Sequence, residues 1–329
     1  MKFVMTQAIC PEGMDRLNHH SPEDMKIYVA DDPDPNHYLS QMENADALIV
    51  RIASCDGNVI DHSPQLKVIG RTGVGFDTVD VKRATERGIP VVITPGANNR
   101  SVAEHTLALI FALSKDLINA HLGIQQGNWE IRSAKRSFEL QGKTVGILGM
   151  GAIGRDVANL CRAVGMNPIG YDPFVSSDIF TQSGTARCET LPDLLQKSDI
   201  LTIHIPLTAD TKNMISHKEL ALMKPSALLI NCSRGGIVNE TALTEALTEG
   251  TIAGAATDVF CTEPPTPDDP LLHCPNMILT PHSAAQTREA VIHMANMCVD
   301  GCLAILNGQK WPFVANPEVY DHPKWNGKA

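Results

Sequence analysis

The sequence predicts an α/β protein built from two doubly wound, parallel-sheet domains. Short apolar runs alternate with segments of helical periodicity along the chain. Many of these runs are apolar without alternation, the pattern of strands buried on both faces. The strands fall into two groups, enough for two separate sheets. The second group opens on Gly149-Met150-Gly151-Ala152-Ile153-Gly154, set between a strand and a helix.

In chain order, the first group comprises Lys2–Ile9, Lys26–Val29, Ala47–Val50, Lys67–Ile69 and Val91–Ile93. A long helix is expected over Ser101–Leu122, with Val102, Thr106, Leu109, Ile110 and Leu113 on its inner face. The second group is Val145–Leu148, Pro168–Tyr171, Ile200–Ile203, Leu228–Asn231, Ala253–Val259 and Met277–Leu279. A second long helix, Arg288–Leu306, carries the chain back towards the first group, and the tail from Pro312 reads as irregular. The expected organisation is one domain over residues 101–287 inserted into a discontinuous domain formed by 1–100 and 288–329.

The glycine run is informative because of its setting. Gly149 permits the tight turn, Gly151 lets a pyrophosphate approach the backbone, and Gly154 allows the helix to lie close to the sheet. The free N–H groups of the helix start, at Ala152 and Ile153, face the phosphates with the positive end of the helix dipole. Asp172 ends the next strand, 18 residues beyond Gly154. Its carboxylate suits an adenosine ribose and repels a 2′-phosphate, and Pro173 and Phe174 supply no cation. The expected cofactor is therefore NAD rather than NADP.

Composition narrows the partners. The 329-residue chain is 43% hydrophobic and 19% charged, with a net charge of −10. That charge argues against nucleic acid and against an anionic membrane surface. No apolar run is expected to reach the roughly 18 residues of a membrane span. Nine cysteines, an odd number without a CxxC pair, suggest reduced thiols and no metal site. Together with a strand-like N-terminus, these features suggest a cytoplasmic protein.

Three strand ends in the second group carry reactive side chains. Leu228–Asn231 delivers Arg234, a guanidinium that can fork onto a substrate carboxylate. Met277–Leu279 leads to His282, a proton donor or acceptor for an oxygen at which hydride arrives or leaves. Glu263 follows the strand through Asp258 and can bind the far ring nitrogen of His282, fixing its tautomer.

At this point the chain resembles the D-isomer-specific 2-hydroxyacid dehydrogenase family, over about residues 40 to 310. The matching segments are Gly70 to Asp80, Asn99 to His105, the glycine run with Tyr171-Asp172-Pro173, His204 to Thr208, Asn231 to Gly236, Asp258-Val259-Phe260 with Glu263-Pro264, and Thr280-Pro281-His282. The resemblance implies a Rossmann NAD-binding domain inserted into a flavodoxin-like substrate domain. It implies catalytic roles for Arg234, Glu263 and His282, a nicotinamide carboxamide contact for Asp258, and main chain at Ile205, Cys232 and Ser233 lining the cofactor. It places the substrate carboxylate on main chain at Val74 and Gly75. It also implies a homodimer formed through an arm at about residues 101–143. Arg51 and Asn98 match substrate-side positions of some relatives.

The reaction so implied interconverts a small anionic D-2-hydroxy acid and its 2-oxo acid, of the phosphoglycerate, hydroxypyruvate or glyoxylate type. Ile52 stands where phosphoglycerate-acting relatives often carry Ser. An NAD-sensing regulatory protein on the same fold is the alternative. Arg132, Lys135 and Arg136 form a basic cluster in the arm that would reach a second substrate anion in a partner's site, or else form a solvated surface.

Overall fold

The computed structural model describes residues 1–20, 25–134 and 137–328. The chain divides into two compact units, Met1–Asn98 with Thr287–Ala329, and Asn99–Gln286.

The first unit contains β1 (Lys2–Met5), β2 (Lys26–Val29), β3 (Ala47–Val50), β4 (Val68–Arg71) and β5 (Val91–Val92), in the order β2-β1-β3-β4-β5. Every pairing is parallel. Alternation along β1 buries Phe3 and Met5 on one face with the helix Arg288–Leu306, and Val4 on the other. Aspartates start the short helices between strands. Asp56 accepts the N–H of Val59 at 3.0 Å, and Asp80 that of Arg83 at 2.9 Å, satisfying donors the helix leaves open.

The helix Arg288–Leu306 corrects one expectation. By length and apolarity it meets the requirement for a membrane span. Its Cys298, Val299 and Cys302 are instead fully buried in the core of this unit. The tail also departs from the irregular expectation. It forms short 3-10 turns at Pro317–Asp321 and Pro323–Trp325, because Val319 and Trp325 supply apolar groups that bury.

The second unit contains β6 (Thr144–Leu148), β7 (Asn167–Tyr171), β8 (Ala186–Arg187), β9 (Ile200–Ile203), β10 (Leu228–Asn231), β11 (Gly254–Thr257) and β12 (Met277–Leu279). Their order is β12-β11-β10-β9-β6-β7-β8, again all parallel. Strands β9, β10 and β11 are buried along their whole length, as unalternating apolar runs require. The strand β8 has two residues and left no apolar signature. The helix expected over Ser101–Leu122 is broken into Asn99–Ser114 and Leu117–Gln125, bent by 59°. The break falls at Asp116, whose φ of 52° lies in the left-handed region that cannot continue an α-helix.

Candidate active site

The glycine turn sits at the carboxyl end of β6, an interior strand of the seven-stranded sheet beside the central β9. Gly149 has φ 98°, and a Cβ on it would lie 2.5 Å from the His204 carbonyl oxygen at the end of β9. Gly151 is the N-cap of the helix Ala152–Ala163, and no side chain caps that end. A Cβ built on Gly151 would have no neighbour within 4 Å, so the first turn at Ala152 and Ile153 opens onto a clear cradle. At Gly154 a side chain would run into the Gly149 carbonyl oxygen before it met Ile147 of the sheet. This glycine therefore serves the turn itself as well as the helix–sheet packing expected of it.

Asp172 closes the turn from the neighbouring strand. Its Oδ2 accepts the N–H of Met150 at 2.9 Å, and its Oδ1 accepts the N–H of Phe174 at 2.9 Å. The carboxylate is thus pinned beside the turn with lone pairs to spare. An uncapped helix N-terminus, a clear cradle and a fixed acid together fit a dinucleotide.

Arg234, Glu263 and His282 come together at the ends of β10, β11 and β12. His282 Nδ1 lies 2.6 Å from Glu263 Oε2, and the other carboxylate oxygen of Glu263 accepts the N–H of Phe260 at 3.0 Å. Burial pushes the Glu263 carboxyl up. The His282 hydrogen bond, the Phe260 N–H and the charges of His282 and Arg234 outweigh it and hold the group below its ordinary value. Glu263 is therefore an anion at neutral pH, with the Arg234 guanidinium in its field. The Arg234 Nη1 donates to the Ser233 carbonyl at 2.7 Å.

Asn231, the last residue of β10, was not singled out from sequence. Its amide donates to the Arg234 carbonyl at 3.0 Å, and its Oδ1 accepts the Ser233 N–H at 3.0 Å and the Ser233 hydroxyl at 2.7 Å. The signal was a single amide at the end of a wholly apolar strand. Glu240, at the start of the helix Glu240–Glu249, was also missed. Its Oε1 accepts the Cys261 N–H at 2.7 Å, tying the loop that carries Glu263 to a rigid element.

Asp258 is fully buried, and its carboxylate organises the histidine loop. Oδ1 accepts from the Thr280 hydroxyl at 2.6 Å and from the Ser283 N–H at 2.8 Å. Oδ2 accepts from the Ala284 N–H at 2.8 Å, and the Asp258 carbonyl accepts the His282 N–H at 2.7 Å. These bonds hold His282 at φ 51°, a conformation worth about 1–3 kcal/mol of strain in a residue with a Cβ. His105 reaches the same cluster through Thr280 Oγ1, at 3.1 Å.

Ile205 follows His204 beyond β9, and its side chain approaches the Gly149 turn. Cys232 is buried after β10, and burial pushes its thiol up to about 12, so it is an inert wall. Burial pushes His204 down to about 3, leaving a neutral ring 2.9 Å from Thr202 Oγ1.

The substrate-side expectations fall in the first unit. Arg51 follows β3 and donates from Nη1 to the Ala8 carbonyl at 3.1 Å. Val74 and Gly75 follow β4, where the Gly73 carbonyl accepts the Thr94 N–H at 3.0 Å. Asn98 ends the first segment of the unit, and its Oδ1 is buried without a partner among the described residues. In the arm, the Arg132 guanidinium stands 5.8 Å from the ring centroid of its own Trp129. Lys135 and Arg136, the rest of that cluster, lie outside the described residues.

Residues 107–284 match the family described as D-isomer specific 2-hydroxyacid dehydrogenase, NAD binding domain. The chain belongs to the D-2-hydroxyacid dehydrogenase family. It is 39% identical over 326 residues to a glyoxylate reductase of Aeropyrum pernix, covering 97% of this chain and 96% of that one. It is 37% identical over 309 residues to a D-3-phosphoglycerate dehydrogenase of Archaeoglobus fulgidus, covering 94% of this chain and 58% of the relative. The chain thus spans little more than half the length of the phosphoglycerate dehydrogenases it matches. Among solved structures, a Thermus thermophilus protein superposes with a TM-score of 0.88 at 32% identity, covering 96% of this chain and all of that one. An NADPH-dependent glyoxylate/hydroxypyruvate reductase of Sinorhizobium meliloti, solved with citrate, has a TM-score of 0.82 at 28% identity and covers 100% and 99%. The family's NAD-binding domain and its two parallel-sheet architecture are therefore those of this chain.

Proposed function

We propose that this member of the D-2-hydroxyacid dehydrogenase family is an NAD-dependent oxidoreductase that interconverts a small D-2-hydroxy acid and its 2-oxo acid. The observation that carries the reading is the 2.6 Å contact between His282 Nδ1 and Glu263 Oε2. It leaves Nε2 as the ring nitrogen available for a substrate oxygen, and Glu263 stabilises the ring when it carries a proton. His282 gives that proton to the carbonyl oxygen during reduction and takes it back during oxidation. Arg234 holds the substrate carboxylate and polarises the adjacent carbonyl. In this reading the substrate-side residues of the first unit are Val74 and Gly75, through their main chain, with Arg51 and Asn98.

Gly149, Gly151, Ala152, Ile153 and Gly154 would hold the pyrophosphate, Asp172 the adenosine ribose, and Ile205, Cys232 and Ser233 the cofactor's flank. Of about four lone-pair sites on the Asp258 carboxylate, three are used within the chain, which leaves one for the nicotinamide carboxamide. When bound, the nicotinamide supplies or accepts the hydride. The pinned Asp172 favours NAD over NADP, although the Sinorhizobium relative uses NADPH.

Residues 1–100 with 288–329 serve as the substrate domain and 101–287 as the cofactor domain in this reading. A homodimer forms through the arm at about 101–143. Exposed Leu117, Ile118, Leu122, Ile124 and Trp129 support it, since so many large apolar side chains on one segment ask for a cover. The Trp129 stacking of Arg132 favours a local role for that arginine over a partner's substrate. We place the protein in the cytoplasm.

NADH absorbance tests the proposal with glyoxylate, hydroxypyruvate, pyruvate and 3-phosphohydroxypyruvate. Oxidation with at least one, lost in His282→Ala, is expected. Tight NADH binding with no oxidation across the panel overturns the enzyme reading in favour of a regulatory one.

A further inference from the structure

An imidazole outside the group of Arg234, Glu263 and His282 is bonded to the same histidine turn. His105 lies on the helix Asn99–Ser114, whose Val102, Ala103, Leu109 and Ile110 are buried in the core of the second unit. The helix is a fixed platform, and the His105 side chain is only 23% exposed on it. Its Nε2 stands 3.1 Å from Thr280 Oγ1 and 3.7 Å from Oδ1 of the buried Asp258. Three elements distant in sequence therefore meet at the Thr280 hydroxyl: this helix, the residue that follows β11 and the residue that follows β12.

The hydrogens available set the direction of each bond. A carboxylate only accepts, so the single hydroxyl hydrogen of Thr280 goes to Asp258 Oδ1, at 2.6 Å. Thr280 Oγ1 then offers His105 only a lone pair, and Nε2 carries the hydrogen of the 3.1 Å contact. An N–H donated to a hydroxyl oxygen polarises its O–H and strengthens the next bond in the chain. With that N–H in place, the hydroxyl hydrogen has one direction in which it is bonded. The Asp258 and Thr280 carbonyls in turn share the His282 N–H, at 2.7 and 3.1 Å. Pro281 has no N–H to add, so between Thr280 and His282 the chain depends on these bonds to hold His282 at φ 51°.

We infer that His105 is a positioning residue for His282. Through the Thr280 hydroxyl it keeps Asp258 bonded to the histidine turn, and so keeps the His282 ring where a substrate oxygen arrives. The inference rests on the oxidoreductase reading and adds to it a residue that touches no substrate and transfers no proton. An apolar side chain at position 105 leaves Thr280 Oγ1 without its donor, and the hydroxyl is then free to rotate off Asp258. The turn loosens, and His282 spends part of its time out of place. A misplacement of about 1 Å costs up to about 10²-fold in rate.

The test compares the intact protein with His105→Leu, His105→Gln, Thr280→Val and the double variant His105→Leu with Thr280→Val. Each is assayed with NADH and whichever of glyoxylate, hydroxypyruvate, pyruvate and 3-phosphohydroxypyruvate turns over fastest. In His105→Leu kcat should fall about tenfold or more, with KM for the 2-oxo acid and the Kd for NADH within about twofold. His105→Gln, whose amide N–H reaches about as far as Nε2, should stay within about threefold of the parent. With Thr280→Val already in place, His105→Leu should cost less than about twofold, because the hydroxyl through which His105 acts is gone. Should His105→Leu not fold, His105→Asn, whose amide stops one methylene short of Thr280, takes its place with the same expected loss. An unchanged kcat in His105→Leu overturns the inference. So does a loss that His105→Gln shares in full, or one of the same size in the Thr280→Val background. Absence of turnover with any 2-oxo acid is a different result: it removes the oxidoreductase reading, and this inference with it.

Discussion

Glu263 and His282 meet at 2.6 Å, and Glu263 is itself fixed by the Phe260 N–H through its second oxygen. The pair therefore has one geometry rather than a choice of several. Glu263→Gln keeps an acceptor for the imidazole N–H but removes the negative charge beside it. Turnover of a 2-oxo acid at neutral pH should fall about 10²-fold, towards the lower end of what a positioned acid supplies. Steady-state kcat of the two proteins checks this; an unchanged kcat would mean that the charge of Glu263 is irrelevant to the proton transfer.

Asp258 should matter more to folding than a cofactor contact would. Three chain donors converge on its buried carboxylate. Asp258→Asn turns one acceptor oxygen into a donor group and sets it against a chain donor. A loss of about 1–3 kcal/mol in stability is expected. It should accompany a fall in activity, since the Ser283 and Ala284 bonds hold the His282 turn. Urea unfolding and turnover measured on the same preparation check both. An activity loss at unchanged stability would restore Asp258 to a purely cofactor role.

The large elements were legible because their signal is local. The strands β2, β3, β9, β10 and β12 have the bounds that their apolar runs suggested, and the glycine turn announced itself between strand and helix. The glycine and strand-end residues were legible for the same reason. What escaped depends on contacts distant in sequence. Asp116 breaks the arm helix through its own backbone angle, and nothing in the apolar spacing of Ser101–Leu122 records that. Glu240 looks like an ordinary first-turn acid of its helix, yet it caps Cys261, 21 residues later. Asp258 carries no mark that separates a ligand contact from a structural hub.

Gly70 gives a prediction about the first unit alone. It lies in β4, and a Cβ on it would stand 2.6 Å from the sulfurs of both Cys298 and Cys302. Both cysteines are fully buried on one helix, so neither can swing into solvent. Gly70→Ala should destabilise the protein by about 1–3 kcal/mol through overpacking. Cys298→Ala with Cys302→Ala should recover part of the loss by making room. Denaturant midpoints for the single and triple variants check this, and a triple variant worse than the sum of its parts would refute the steric account.

His204 sets a pH dependence of stability that owes nothing to the reaction. Part of the residue reaches the surface, yet burial pushes its imidazole down to about 3, against an ordinary value of 6.5. Between those two values the unfolded chain binds a proton that the folded one refuses. Stability therefore rises with pH across this window, and it is lost progressively as pH falls below about 6.5. Glu263 works in the same direction lower down. Its carboxyl is held below 4.5, so its contribution is full above that value and disappears as pH drops through the folded one. Separating the two requires a residue at 204 that never titrates. His204→Gln retains a polar partner for Thr202 and stays neutral throughout. Its melting temperature should fall less than that of the parent between pH 6.5 and pH 5, where Glu263 remains ionised in both proteins. Equal falls would mean that the His204 ring takes up its proton as readily in the folded chain as in the unfolded one.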